Sequence, residues 1–349
     1  MPELPEVETI RRGLSKVIVG RKIEKFESLD SKVIQFAEKD VEGLFISNIE
    51  RRAKILIFYL SGSPPAAFSN VVISTEAEKS SDKRSLDYAR DDTGERILKQ
   101  VQDDVTGKVL LCHLKMTGQL IWEEKPGTSD FQLKKVKSPS ISLRAAAQRV
   151  VGGHPSPDWV NKLPNAYTRA IFHFDDKSVL FFNDLRRFGY MKLYDKSELK
   201  SIKELAKLGP EPFSPDFTIE YLMRRAAKIP NRKIKQFITD QEIISGVGNI
   251  YVDEALFYAG ILPTRKVADI QLSEWKRIIQ SIVKALEMGL KYGGSSEDTY
   301  VDAFGNQGTM NSHTKVYRHT GEPCGECGTK VVRITLGGRG THYCPVCQK

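Results

Sequence analysis

No run of roughly eighteen apolar residues occurs anywhere in the 349 residues, so no segment has the length and character of a membrane-spanning helix. The N-terminus also lacks the basic-then-apolar layout of a secretory signal, so export is not indicated and the chain reads as cytoplasmic. No internal repeat is visible, which argues against a solenoid or propeller. Cysteine is scarce, five in all, which rules out a disulfide-dense scaffold. Cys112 stands alone in an apolar stretch and reads as a buried, inert thiol. Acidic residues are outnumbered, 44 against 53 basic, for a net charge of +9. That balance suits a polyanionic partner, although a solvated basic surface gives the same count.

What is present falls into three zones. Val7, Ile10, Leu14, Val17 and Ile18 recur at helical spacing over residues 6–20, with Pro5 suited to a first turn and Gly20 to an end. Short β-rich runs follow at Ile55–Leu60, Val109–Leu114, Ile171–Phe174 and Val179–Phe182, the pattern of a β-sandwich or barrel. From Lys196 the period becomes helical, and Leu272, Trp275, Ile279, Ile282, Val283 and Leu286 share one helix face. The reading is a multi-domain α+β chain: a β-sandwich with an N-terminal helix over 1–195, a helical domain over 196–300, and a tail over 301–349. Two stretches, about 61–104 and 132–165, interrupt the strand pattern and read as insertions, the first mobile and the second partly ordered.

The tail carries Cys324 and Cys327 two residues apart, and Cys344 and Cys347 likewise, with sixteen residues between the pairs. This is the spacing of a four-thiolate zinc site. Four protein ligands leave no open position, so one structural Zn2+ is expected and catalysis must come from elsewhere. Between the pairs, Val331–Leu336 reads as a strand and residues 337–341 as a tight turn, together a β-hairpin with Arg339 at its tip. Arg339 is placed to meet phosphate, or is simply solvated.

At the other end, Pro2, Glu3, Glu6 and Glu8 crowd carboxylates around the chain start. A small second residue permits loss of Met1, which would leave the secondary amine of Pro2 as the terminus. Its pKa near roughly 8 leaves a neutral, nucleophilic fraction at physiological pH. Attack by such an amine on a sugar carbon gives an iminium that cannot lose a proton from nitrogen and so remains an electron sink. The plain alternative is acidic residues favouring a helix start.

The N-terminal string 1–9 and the runs His113–Gly118, Asp184–Gly189, Gly246–Tyr251 and Gly340–Pro345 together resemble formamidopyrimidine-DNA glycosylase. The resemblance covers nearly the whole chain outside the two insertions. Endonuclease VIII is a related family, but it usually begins Pro-Glu-Gly-Pro, and Leu4 with Val7-Glu8-Thr9 looks like the formamidopyrimidine branch. The resemblance implies a helix-two-turns-helix element in the helical domain and a zinc-binding β-hairpin. It implies damaged double-stranded DNA as partner, no membrane, a monomer, and a location in a bacterial cytosol or nucleoid.

It also implies a bifunctional glycosylase and AP lyase for oxidised or ring-opened purines. Pro2 would attack C1′, Glu3 would donate a proton and Glu6 would support the site, with strand cleavage by β,δ-elimination. Lys54 matches the β-elimination lysine and Arg339 the δ-elimination arginine, although both could equally be phosphate anchors. Met116, Arg186 and Phe188 match the side chains that fill the gap left by an everted nucleotide, with core packing the alternative for Phe188. Asn249, opening a helix over Ile250–Tyr258, would present donors to phosphate or act as a plain helix cap. Lys228, Arg232 and Lys235 are expected to add backbone contacts. Tyr167-Thr168-Arg169 stands where many members carry a histidine pair, so that contact does not carry over; His154 is a candidate substitute or an ordinary loop residue. The loop Gly293–Asp302 matches the variable segment around the everted base. The competing readings are oxidised-pyrimidine excision and non-catalytic damage binding.

Overall fold

The computed structural model describes residues 2–65, 107–124, 149–153, 163–295 and 307–349, the backbone alone for 149–153. Helix α1, Leu4–Ile18, opens the chain. Strands β1 (Ile23–Ser28), β2 (Ile34–Gln35), β3 (Phe45–Arg52), β4 (Ile55–Ser61), β5 (Lys108–His113), β6 (Gly118–Glu123), β7 (Arg149–Gly153), β8 (Thr168–Phe174), β9 (Val179–Asp184) and β10 (Tyr190–Asp195) follow. They form two five-stranded sheets, ordered β1-β8-β9-β6-β7 and β2-β10-β5-β4-β3. All pairings are antiparallel except β10 with β2. Alternate residues such as Leu56, Phe58 and Leu60 meet Leu120, Phe172 and Leu180 between the sheets, with Val7, Ile10, Leu14 and Ile18 of α1 in the same cluster. Cys112 is fully buried there.

The 6–20 helix expected from sequence begins two residues earlier. Glu6 Oε2 accepts the Glu3 N–H at 2.8 Å, and the Leu4 N–H donates to Gly246 O at 3.1 Å, so two orphan donors of the first turn are satisfied. Leu4 points away from the sandwich into a second core with Val247, Ile250 and Phe237. One helix therefore contributes to two cores, and its first turn lies at their junction. Of the stretches read as insertions, Arg149–Gly153 pairs with β6 as an edge strand; 66–106, 125–148 and 154–162 lie outside the described residues.

Helix α2 (Lys203–Ala206) packs Leu205 against a sandwich cluster with Ile55, Ile57 and Tyr59, and the second core belongs to helices α3 (Ile219–Ala227), α4 (Ile234–Ile238), α5 (Asn249–Ala259) and α6 (Leu272–Lys291). The loop and α4 region joins α5 through Ser245–Gly248, giving the helix–turns–helix arrangement. The tail forms a hairpin of β11 (Val332–Leu336) and β12 (Arg339–Tyr343) around the two-residue turn Gly337–Gly338, both at positive φ. Arg339 is thus the first residue after the turn, paired with Leu336, and is exposed.

Candidate active site and DNA-facing surface

The start of α1 can enter the junction because of the run Gly246-Val247-Gly248. A Cβ on Gly246 would lie 2.6 Å from Leu4 Cδ1, and one on Gly248 would lie 2.2 Å from Glu3 Cδ. Pro2, Glu3 and Glu6 are consequently buried at this seam. Glu3 Oε1 accepts the Ile250 N–H at 2.9 Å, whereas Oε2 is buried without a partner among the described residues. Burial pushes the Glu3 carboxyl above its ordinary pKa, opposed by the charge of Lys54 and reinforced by that of Glu6. Glu6 is held from three sides: beyond the Glu3 N–H, its Oε1 accepts from Tyr251 OH at 2.7 Å and Ser295 N–H at 2.8 Å.

Lys54 follows Ala53, a left-handed residue at φ 55. Glu211, from the helical domain, holds that turn. It takes the Ala53 N–H at 2.6 Å and the Arg51 fork at 3.0 and 2.9 Å. Lys54 is 4% exposed, its Nζ donating to Val247 O at 3.1 Å. Burial lowers its pKa against the opposing pull of Glu3, and the charge of Arg339 lowers it further, so the hairpin arginine faces the same seam. The seam therefore sets a carboxyl biased towards its protonated form beside a lysine biased towards its neutral form.

Met116, Arg186 and Phe188 share one exposed edge of the sandwich. Met116 and Phe188 are 42% and 57% exposed, which overturns core packing for Phe188, and Arg186 Nη1 lies 3.5 Å from Met116 Sδ. The residue that fixes both loops was not singled out by sequence reasoning. Asp184, fully buried at the end of β9, accepts from Thr117 Oγ1 at 2.5 Å, Arg186 N–H at 3.2 Å and Gly189 N–H at 2.7 Å. Beside it, burial and the charges of Lys115 and Lys54 hold His113 neutral, pulled down to about 3, with its Nδ1 accepting the Lys115 N–H at 3.0 Å. Arg169, in place of the histidine pair, donates to Asp184 O at 2.9 Å; His154 lies outside the described residues. So do 296–302 of the variable loop.

Asn249 is the first residue of α5, one position ahead of the helix start expected from sequence, and its Oδ1 is buried without a partner among the described residues. Lys228 is exposed at the end of α3, and Arg232 is partly committed to Asp240 at 2.7 Å. Lys235 corrects its expected role as a backbone contact. It is 2% exposed, and its ammonium meets Asp253 Oδ1 at 2.7 Å, Gly340 O at 2.8 Å and Thr341 Oγ1 at 2.9 Å. An ion pair and two hydrogen bonds therefore hold the ammonium inside the protein. Lys235 ties α4 to the strand that begins with Arg339.

In the tail, the four Sγ atoms of Cys324, Cys327, Cys344 and Cys347 lie within 4.8 Å of one another, with 3.8 Å between Cys324 and Cys347 and 3.5 Å between Cys327 and Cys344. Zinc–sulfur bonds of ~2.3 Å in a tetrahedron require S···S edges near ~3.8 Å, so the donor set fits a closed structural zinc site. Two α5 carboxylates seat this unit. Asp253 accepts the His342 N–H at 2.9 Å, and Glu254 accepts the N–H groups of Lys315, Val316 and Tyr317 at 2.7, 3.0 and 2.9 Å.

Three family models match in order: the formamidopyrimidine-DNA glycosylase N-terminal domain over 1–191, its H2TH domain over 208–301, and the zinc finger found in FPG and IleRS over 321–349. Among curated proteins, the chain is similar to the formamidopyrimidine-DNA glycosylases of Bacillus cereus (32% identity, 100% of this chain and 99% of the relative) and Geobacillus kaustophilus (33%, 100% of each). Among solved structures it is similar to a Lactococcus lactis FPG mutant in complex with Fapy-dG-containing DNA, with TM-score 0.72, 28% identity and full coverage of both chains. A MutM complex with carbocyclic 8-oxo-G DNA matches at TM-score 0.71 and 27% identity, again over both whole chains.

Proposed function

Since the chain belongs to the formamidopyrimidine-DNA glycosylase family and is a base-excision-repair DNA glycosylase with a structural zinc, we propose that it excises oxidised and ring-opened purines through Pro2 and then cuts the strand. In this reading damaged double-stranded DNA lies across the seam, and Pro2, freed by loss of Met1, attacks C1′ of the everted nucleotide. The glycosidic bond breaks as Glu3 delivers its proton to the leaving base. The nitrogen loses its proton, the C1′–O4′ bond of the sugar opens with a proton passing to O4′, and the resulting ring-opened iminium acidifies C2′–H. Lys54, with its lowered pKa, takes that proton, the C3′–O bond breaks and the 3′-phosphate departs. Loss of a C4′ proton then expels the 5′-phosphate, with Arg339 stabilising the departing charge. Met116 and Phe188 fill the vacated stack while Arg186 reads the orphaned base. Asn249, Arg232 and Lys228 hold backbone phosphates, and Lys235 serves by positioning the Arg339 strand.

The observation that carries this reading is the buried Glu3 carboxyl, one oxygen unpartnered among the described residues, which follows Pro2 in a glycine-lined seam and feels the charge of Lys54. The choice of purines rests on the Fapy-dG and 8-oxo-G complexes of the similar structures; a Lactococcus lactis FPG complex with oxidised-pyrimidine DNA (TM-score 0.70, 28% identity, 100% of each chain) keeps pyrimidine lesions as a second class. A panel of end-labelled duplexes carrying each lesion tests it. Faster cleavage at the purine lesions, leaving phosphate on both flanking ends, is the expected result. Faster cleavage at pyrimidine lesions, or release of base with the strand intact, contradicts it.

A further inference from the structure

Arg187, between Arg186 and Phe188, has a left-handed backbone at φ 56, which a non-glycine residue keeps only when its surroundings hold it there. The holding group comes from the segment between β1 and β2. Arg187 Nε lies 2.6 Å from Asp30 Oδ2, and Nη2 donates to Asp30 Oδ1 at 2.9 Å, a two-point fork. Asp30 is itself rigid. Its side chain is 5% exposed, its Oδ1 accepts the Lys32 N–H at 3.1 Å, and its carbonyl accepts the Val33 and Ile34 N–H groups at 3.0 and 2.9 Å. The Arg187 side chain, by contrast, is half exposed. Asp184 fixes the two ends of the loop, at the N–H groups of Arg186 and Gly189. Among the described residues, the Asp30 fork is what fixes its middle.

We propose that Asp30 is a positioning residue for base discrimination: by locking Arg187 left-handed, it sets the direction in which Arg186 meets the base opposite the lesion and Phe188 enters the stack. This rests on the gap-filling role given to Arg186 and Phe188 above. No bond to substrate is assigned to Asp30 or Arg187. Their effect is on the readiness of the loop, so it belongs to steps that need an intact duplex. Cleavage of an abasic site in single-stranded DNA needs no gap filled and should not register the lock.

The test compares wild type with Asp30→Asn, Arg187→Lys and the double variant. Two readouts are taken: the ratio of kcat/KM for 8-oxoguanine opposite cytosine against adenine, and the fluorescence rise of 2-aminopurine placed beside the orphaned base. Each single variant is expected to lose about tenfold in the ratio and most of the fluorescence rise, with the double no worse than either, the mark of one shared interaction. Single-stranded abasic cleavage stays at the wild-type rate. Wild-type ratios and fluorescence in folded variants, or additive losses, overturn the proposal. Should Asp30→Asn not fold, Arg187→Lys alone decides, because that side chain is exposed. If wild type itself shows neither discrimination nor a fluorescence change, the gap-filling reading fails and this proposal falls with it.

Discussion

Glu3 and Glu8 lie five residues apart and are driven in opposite directions. Burial raises Glu3, and only part of that is offset by Lys54. A proton donor works only while protonated, so a raised pKa extends its working range upward. Base release needs Glu3 protonated and the Pro2 amine neutral, so its pH profile should be bell-shaped, with one limb set by the raised Glu3 carboxyl. Glu3→Gln should lower base release by ~10²–10⁴ and remove that limb, while cleavage of a preformed abasic site persists. Single-turnover pH profiles on 8-oxoguanine and abasic duplexes check this; a wild-type profile in the variant would contradict it. For Glu8, burial acts upward, but hydrogen bonds from Arg11 and Arg12 and the charges of Arg11 and Arg51 prevail and hold it at about 2. Its folded pKa is depressed, so its stabilisation is present above the ordinary carboxylate range and is lost as pH falls towards 2. The shift from 4.5 to about 2 corresponds to on the order of 3 kcal/mol, so Glu8→Gln should cost that order at pH 7 and flatten the acid limb of the stability profile. Urea unfolding at pH 7 and pH 3 measures both effects.

At the scale of elements, the approach of α1 to the Gly246–Gly248 turn is the most sensitive contact. In Gly248→Ala the new methyl would displace Glu3, whose Cδ lies 2.2 Å from the ideal Cβ position. Base excision should fall ~10²-fold or more, as expected for a misplaced catalytic group, while the melting temperature changes little. Activity within twofold of wild type would remove Glu3 from its assigned place. The zinc hairpin packs a small cluster, Val316 and Val331 around Cys324 and Cys344, against Phe257 of α5. Chelation of the metal should therefore abolish DNA binding before the sandwich unfolds, read by fluorescence anisotropy alongside circular dichroism. Unchanged affinity after confirmed zinc loss would contradict this.

The elements were legible to different degrees. Val7, Ile10, Leu14 and Ile18 announced α1 because one face meets one core; Leu4 did not, because it serves another core and breaks the stripe. Cysteine spacing sufficed for the metal site, since the ligands are local pairs. Lys235 misled because its basic neighbours suggest a surface, whereas its partners Asp253, Gly340 and Thr341 are distant in sequence. The anchoring roles of Asp184 and Asp30 were invisible for the same reason: each acts on loops that only the folded sheets bring near.

At the scale of the whole molecule, the two cores and the zinc tail converge on the seam at the chain start. Glu211 carries the Lys54 turn from the helical side, and Asp253 with Lys235 carries the Arg339 strand. In the proposed mechanism, a reactive group at the N-terminus would draw on side chains from all three units. The central claim is that the attacking nitrogen is the amine of Pro2. Borohydride reduction during reaction with an 8-oxoguanine duplex, followed by proteolysis and mass mapping, tests it directly. The account predicts a covalent adduct on the peptide beginning at Pro2, and much less of it in Pro2→Gly protein. An adduct on Lys54 or another lysine, or an undiminished one in the variant, would contradict it.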